Sequence, residues 1–240
     1  MENKRVYPYH VELNSVDFTA RMTLAGLDDC LLTTSSLDAA TQGFGNGDID
    51  GNVGWILLRL AMDVDRLPNE DEELKVATWV SDANRLATTR NMEVIDSEGI
   101  VVARAVTQWA VLDLEKRRTL NLNEVVDNSR IIQDIPSPTT PPARLSQPES
   151  VTRFTHQVLY SYVDRNGHTY SINYLRMVLD TLPFETLQRR SHVRVDMNFI
   201  HETRYGERLT IVTDSGQLNP QFEILSGDST PACRISIVWD

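Results

Sequence analysis

The sequence predicts an α+β protein made of two copies of one unit, each an antiparallel sheet wrapped around one central helix. Strand-like runs fill Trp55 to Leu114 and again Arg153 to Trp239, with apolar and polar residues in alternation. A single helical segment opens each set, at Gly26–Gly43 and at Ser171–Thr181. The two halves also end alike. Ala103-Arg104-Ala105-Val106-Thr107-Gln108-Trp109 and Cys233-Arg234-Ile235-Ser236-Ile237-Val238-Trp239 share the Arg–Trp interval. A repeated order of elements with a repeated ending is the mark of duplication.

In order, Tyr9–Val16 reads as a strand and Gly26–Gly43 as a helix opened near Asp28. Leu27, Leu31 and Ala39 mark its apolar face, and Thr33, Thr34, Ser35, Ser36 and Ala40 are small enough to let it lie close to a sheet. Gly43–Gly54 is a glycine-rich loop. Its Gly43-Phe44-Gly45-Asn46-Gly47 lacks the lysine of a phosphate loop. In Trp55–Asp65, Ile56, Leu58, Leu60, Met62 and Val64 take every second place, so one face should hold all five. Leu74–Val80, Leu86–Ile95 and Ile100–Leu114 continue the sheet, with a hairpin turn at Asp96-Ser97-Glu98-Gly99. Residues 124–150 gather Pro136, Pro138, Pro141, Pro142 and Pro148 and read as an extended linker between units 1–123 and 151–240. An ordered surface strap is the other reading. Strands at Arg153–Tyr160, Ser191–His201, Arg208–Asp214, Phe222–Ser226 and Cys233–Trp239 surround a helix that Pro183 terminates.

Composition narrows the function. The chain has 240 residues, 41% of them hydrophobic, enough for a sizeable core. No apolar run approaches the roughly 20 residues that span a bilayer, and Met1–His10 has no signal-peptide pattern. Cys30 and Cys233 stand far apart and suggest no disulfide framework, so a cytoplasmic protein is expected. The net charge of −11 opposes nucleic-acid binding. An acidic partner would need a local basic patch, for which Lys116-Arg117-Arg118 and Arg189-Arg190 are candidates and a solvated face the plain alternative. His10, His156, His192 and His201 have no metal-like grouping, and no Gly-x-Ser-x-Gly elbow is present. No metal or organic cofactor is called for.

One stretch carries chemistry: Asp164-Arg165-Asn166-Gly167-His168, between the tyrosines Tyr160 and Tyr162 and a helix marked by Ile172, Leu175, Leu179 and Leu182. This places Asp, Asn and His on a turn before a helix N-terminus, where free amides point outward. An imidazole there tends to stay neutral, able to act as a base or to donate one hydrogen bond. An Asn amide can hold a water or polarise a carbonyl, and the Asp can fix either neighbour. Asp-x-Asn-Gly is equally an ordinary turn, because Asn and Gly tolerate left-handed backbone. From the residues alone both readings stand.

With this motif in its second half, the chain resembles the acyl-acyl carrier protein (ACP) thioesterase family over nearly its whole length. Trp55-Ile56-Leu57-Leu58-Arg59, Arg66-Leu67-Pro68, Ala77-Thr78-Trp79, Arg90 and Gln108-Trp109 fall where that family places similar residues. Asp164-Arg165-Asn166-Gly167-His168, Tyr174-Leu175 and Glu202 before Gly206-Glu207 match its second half. The resemblance implies two tandem hot-dog units and hydrolysis of acyl-ACP to free fatty acid in fatty acid biosynthesis, without a cofactor. It implies Asn166, His168, Glu202 and Asp164 as catalytic residues, acyl carrier protein with its acyl-phosphopantetheine as partner, and the first unit as the acyl-chain binder. A homodimer, an acyl-CoA thioesterase and a non-catalytic acyl-thioester sensor are left open. Two departures are visible. The family follows its His with a hydrophobic residue and Asn-Asn, where this chain has Thr169-Tyr170-Ser171; plant members carry a Cys after the Glu, where this chain has Thr203. Cys30 and Cys233 lie elsewhere and are not expected to act as nucleophiles. Glu202 also poses a problem of parity. In a regular strand it would share a face with Asp196 and Asn198, opposite Val195 and Met197, so only a bulge or strand end could turn it elsewhere.

Overall fold

The computed structural model describes residues 4–42, 52–125, 131–149, 152–188, 192–214 and 219–240. Most of the expected 43–54 loop and the Arg189-Arg190 pair lie outside them. The chain divides into two compact units, Met1–Pro142 and Ala143–Asp240. The first holds β1 (Arg5–His10), a 3-10 turn (Leu13–Ser15), α1 (Leu24–Gln42), β2 (Val53–Val64), β3 (Glu73–Ala83), β4 (Thr88–Ile95), β5 (Val101–Asp113), β6 (Arg118–Thr119) and α2 (Leu122–Val125). The second holds β7 (Thr152–Gln157), a 3-10 turn (Tyr160–Tyr162), α3 (Ser171–Leu179), α4 (Phe184–Leu187), β8 (Val193–Phe199), β9 (Arg208–Thr213), β10 (Gln221–Leu225) and β11 (Pro231–Trp239).

Within each unit the described strand pairings are antiparallel. Within the first unit the strands lie side by side as β1-β3-β4-β5-β2, with β6 on β5. Within the second they lie as β7-β9-β10-β11-β8. In both units the first, third, fourth, fifth and second strands are neighbours in that order. The similar strand endings seen in the sequence are β5 and β11, which hold the same place in this order.

Local chemistry moves several boundaries. β1 ends at His10, not Val16, and the chain then turns through Leu13–Ser15. The helix starts at Leu24, not near Asp28, because the Thr23 hydroxyl caps it by accepting the Gly26 amide at 2.9 Å. Gly26 is needed there, since a Cβ would sit 2.5 Å from the Ser15 carbonyl oxygen. In β2 the expected single face is broken by a register shift between Leu57 and Arg59. Trp55 and Leu57 therefore share a face with Leu60, Met62 and Val64, and Ile56 turns to the other side.

The inner face of α1 carries Leu27, Leu31, Thr34, Ser35 and Asp38, all buried, while Thr33, Ser36 and Ala40 are exposed. Thr34 and Ser35 turn their hydroxyls back onto the carbonyls of Cys30 and Leu31, at 2.9 Å each. Asp38 meets Arg90 of β4 at 2.5 Å and Tyr7 of β1 at 3.0 Å, and Arg90 also donates to Thr78 at 3.1 Å. The pair pins helix to sheet with side chains only 3% and 5% exposed.

The proline-rich segment binds each unit through separate contacts. The Ile132 amide donates to the Val80 carbonyl at 2.8 Å, and Thr139 bonds Asp63. In the second unit the Ala143 and Leu145 amides donate to Asp196 and Asn198, at 2.8 and 2.9 Å. No described helix is long and apolar enough to cross a membrane.

Removing one partner of a buried pair strands the other charge. Asp38→Ala is therefore expected to lower unfolding stability by about 3–5 kcal/mol in urea titrations, and the Asp38→Ala, Arg90→Met double variant by clearly less. Equal losses would show that the charge pairing is not what the helix depends on.

Candidate active site

The motif folds as a tight turn organised by Asp164. Its Oδ1 accepts the amides of Asn166 and His168, at 2.8 and 3.1 Å, and its Oδ2 accepts the Asn166 side-chain amide at 3.3 Å. The Asp164 amide donates to the His168 carbonyl at 2.8 Å, closing the loop. Gly167 has φ +80°, in the left-handed region that suits glycine. Asn166 is exposed at the tip, and His168 is half-buried.

Glu202 reaches His168 because the strand carrying it bulges. The amides of Ile200 and His201 both donate to the Ala232 carbonyl, at 2.9 and 3.1 Å. One extra residue is thus inserted after Phe199, and the alternation shifts by one. The buried Val195 and Met197 share the helix-facing side with Phe199, whose ring lies against Tyr174 of α3. After the bulge, Glu202 takes that side in place of His201. Its Oε2 lies 3.3 Å from His168 Nε2, and its Oε1 lies 3.2 Å from Arg204 Nη2. The His168 and Glu202 side chains are about a quarter exposed, so a small molecule can reach the pair.

A buried clasp fixes the two segments. The Thr169 amide donates to the Thr203 carbonyl at 2.7 Å, and the hydroxyls of these threonines lie 2.7 Å apart. Tyr174 joins them, its hydroxyl 2.9 Å from that of Thr203. Each threonine directly follows one member of the His168–Glu202 pair. Neither the clasp nor Arg204 stood out in the sequence. Two threonines and a tyrosine form no motif until the chain brings positions 169 and 203 together. The four residues picked from sequence thus form two linked pairs, Asp164 with Asn166 and His168 with Glu202, joined through the His168 amide.

The first unit contains the same turn. The Asp17 amide donates to the Arg21 carbonyl at 2.8 Å, the Ala20 amide to the Asp17 carbonyl at 2.9 Å, and the Thr19 amide to Asp17 Oδ1 at 2.7 Å. Ala20 occupies the left-handed place of Gly167, with φ +55°. The bulge recurs, with the amides of Asp65 and Arg66 both on the Val102 carbonyl, and the Met22 amide meets the Pro68 carbonyl. Glu72 accepts the Asn69 amide as Glu207 accepts that of Arg204, at 2.9 Å in both cases. Asp17 matches Asp164, but Thr19 stands for Asn166, Arg21 for His168 and Leu67 for Glu202. The aspartate is thus common to both turns, whereas the candidate chemical groups belong to the second alone.

The cysteines are poorly placed for nucleophilic attack. Both are buried, and burial pushes the Cys30 thiol far above its ordinary range. Among the described residues no group of three or more His, Cys, Asp or Glu could hold a metal ion.

Residues 2–128 match the sequence profile of the acyl-ACP thioesterase N-terminal domain, and residues 145–240 that of the C-terminal domain. The chain belongs to the acyl-ACP thioesterase family. A crystal structure of an acyl-ACP thioesterase from Bacteroides thetaiotaomicron is 30% identical with a TM-score of 0.90, covering 100% of this chain and 98% of that one. The 12:0-ACP thioesterase of Umbellularia californica is 15% identical at a TM-score of 0.80, over 99% of this chain and 97% of that one, and shows the same fold. Among sequences, the chloroplastic oleoyl-acyl carrier protein thioesterase 2 of Arabidopsis thaliana is 20% identical over 72% of this chain and 50% of its own. The chain spans about half the length of the curated relatives it matches. The hot-dog fold of this family, antiparallel sheet with few helices, is the α+β fold expected from the sequence.

Proposed function

We propose that this chain hydrolyses the thioester of an acyl group carried on acyl carrier protein, releasing a free fatty acid. The observation that carries this is the contact between His168 Nε2 and Glu202 Oε2 at 3.3 Å, beside an exposed Asn166, in a chain of this family. The His168–Glu202 pair takes a proton from water as the water oxygen attacks the thioester carbonyl carbon. Asn166 donates its side-chain amide to the carbonyl oxygen as charge develops there. The carbon–sulfur bond then breaks, and the proton passes to the departing pantetheine sulfur. Asp164 holds Asn166 and the turn, and Arg204 steadies the second oxygen of Glu202.

His168→Ala or Glu202→Ala is expected to lower turnover by roughly two to four orders of magnitude, the usual worth of acid–base catalysis. Asn166→Ala should lower kcat more than it raises KM. Near-wild-type turnover in folded His168→Ala protein would remove this mechanism. The carrier is tested by presenting one acyl chain on acyl carrier protein and on coenzyme A. Faster hydrolysis from coenzyme A would reassign the substrate, and binding without turnover of either would favour a sensor.

The first unit, which lacks the His and Glu, is proposed to select the acyl chain. Support comes from the short side chains Thr34 and Ser35 on the inner face of α1, with Ser35 3.1 Å from the Met92 sulfur. Ser36 and Ala40, small as they are, face outward and offer no such space. A buried methylene is worth about 0.8 kcal/mol, so a few carbons of depth separate substrates. Ser35→Leu should shift preference toward shorter acyl chains. An equal loss at every length would leave Ser35 a packing residue only.

A further inference from the structure

We infer that Thr203, acting with Thr169 and Tyr174, is a positioning residue that sets the contact between His168 and Glu202. This rests on the hydrolase reading of that pair. The three hydroxyls are interior: Thr203 is 0%, Tyr174 3% and Thr169 7% exposed. Thr203 therefore cannot meet a substrate, although it directly follows Glu202. Its links run inward, to the Thr169 hydroxyl at 2.7 Å and the Tyr174 hydroxyl at 2.9 Å. Thr203 thus joins the other two hydroxyls in a chain, Thr169–Thr203–Tyr174, each with one proton to give. Burial raises the Tyr174 hydroxyl to about 12, so it remains a donor.

The duplicated architecture supplies a control. The first unit makes the same backbone clasp, with the Met22 amide 2.8 Å from the Pro68 carbonyl. There the places of Thr169, Tyr174 and Thr203 are taken by Met22, Leu27 and Pro68, all buried and without a hydroxyl. The clasp consequently folds with apolar side chains. Burying three hydroxyls in its stead brings a desolvation penalty that their mutual bonds only offset. That substitution occurs in the unit that carries His168 and Glu202, directly behind them. Through Thr203 the chain ties the residue after His168 to the residue after Glu202 and to α3, so it fixes the backbone from which imidazole and carboxylate project. Pairs of this kind need placement to about 0.5 Å, which backbone links alone do not guarantee.

The test compares Thr203→Val, which keeps shape and removes the hydroxyl, with Thr203→Ser, which restores it, and with Tyr174→Phe. Turnover of acyl-ACP, thermal unfolding and the ring 15N signals of His168 are measured for each. Thr203→Val should lower kcat by roughly 10- to 100-fold, the effect of a displacement near 1 Å, with KM little changed and Tm lowered by the two hydroxyls it leaves unpaired. Thr203→Ser should recover most of the rate, and Tyr174→Phe should fall between. The His168 ring signals should move in Thr203→Val and not in Thr203→Ser. Wild-type kcat in Thr203→Val, or a loss that follows Tm and is not rescued by serine, would overturn the inference. Should the Val variant fail to fold, Tyr174→Phe bears the same test. Should the wild type hydrolyse no acyl thioester, the functional reading fails by itself. The His168 spectrum then decides this inference, and signals unmoved by Thr203→Val end it.

Discussion

The extra residue at Ile200–His201 is the constraint on which the site depends. Two successive amides share the Ala232 carbonyl, and the strand loses its alternation at that point. Without this bulge Glu202 would join Asp196 and Asn198 on the face where those side chains hold the backbone of Ala143 and Leu145. The carboxylate would then be spent on structure, as the Asp196 carboxylate and the Asn198 amide are. With it, Glu202 faces the helix side and meets His168, and the Thr169–Thr203 clasp keeps the meeting close. The site is thus an outcome of backbone geometry first and of side-chain choice second.

Duplication makes that ordering visible. Both units build the turn, the bulge and the clasp, so these belong to the architecture. Asp17 and Asp164 accept equivalent amides, as do Glu72 and Glu207, and these acids serve the turns. What differs is what the frame carries. The first unit places Thr19, Arg21 and Leu67 where the second places Asn166, His168 and Glu202. The first pins its helix with the buried Asp38–Arg90 pair, and the second inserts a chain of hydroxyls behind its half-buried pair. One copy fills these places with packing residues, and the other carries the pair proposed to transfer a proton.

Much of this was legible in the sequence, and the failures have physical causes. The alternation of Leu74, Val76, Thr78 and Val80 in β3 and the helical spacing of Ile172 and Leu175 mark faces that are buried, although Ala77 and Trp79 bury the other face of β3 as well. Alternation misled in β2, because the register shift after Leu57 exchanges the faces and no glycine or proline marks it. The parity of Glu202 pointed to a bulge or strand end, yet nothing in Asn198-Phe199-Ile200-His201 says that one occurs. The copy of the turn at Asp17 went unseen because it keeps only the aspartate, with Ala20 in the place of Gly167. Its one trace was positional, since Asp17 and Asp164 precede their helices by the same interval. The Thr169–Thr203–Tyr174 hydroxyls join residues far apart in the sequence and have no local signature.

His168 and Glu202 are proposed to act as one proton-transferring unit. A double-mutant cycle on turnover tests it most directly, using His168→Ala, Glu202→Gln and the pair of changes together. Groups that work as a unit are strongly non-additive, so removing either should lose nearly as much as removing both. Independent losses that multiply in the double variant would show that the two residues act separately.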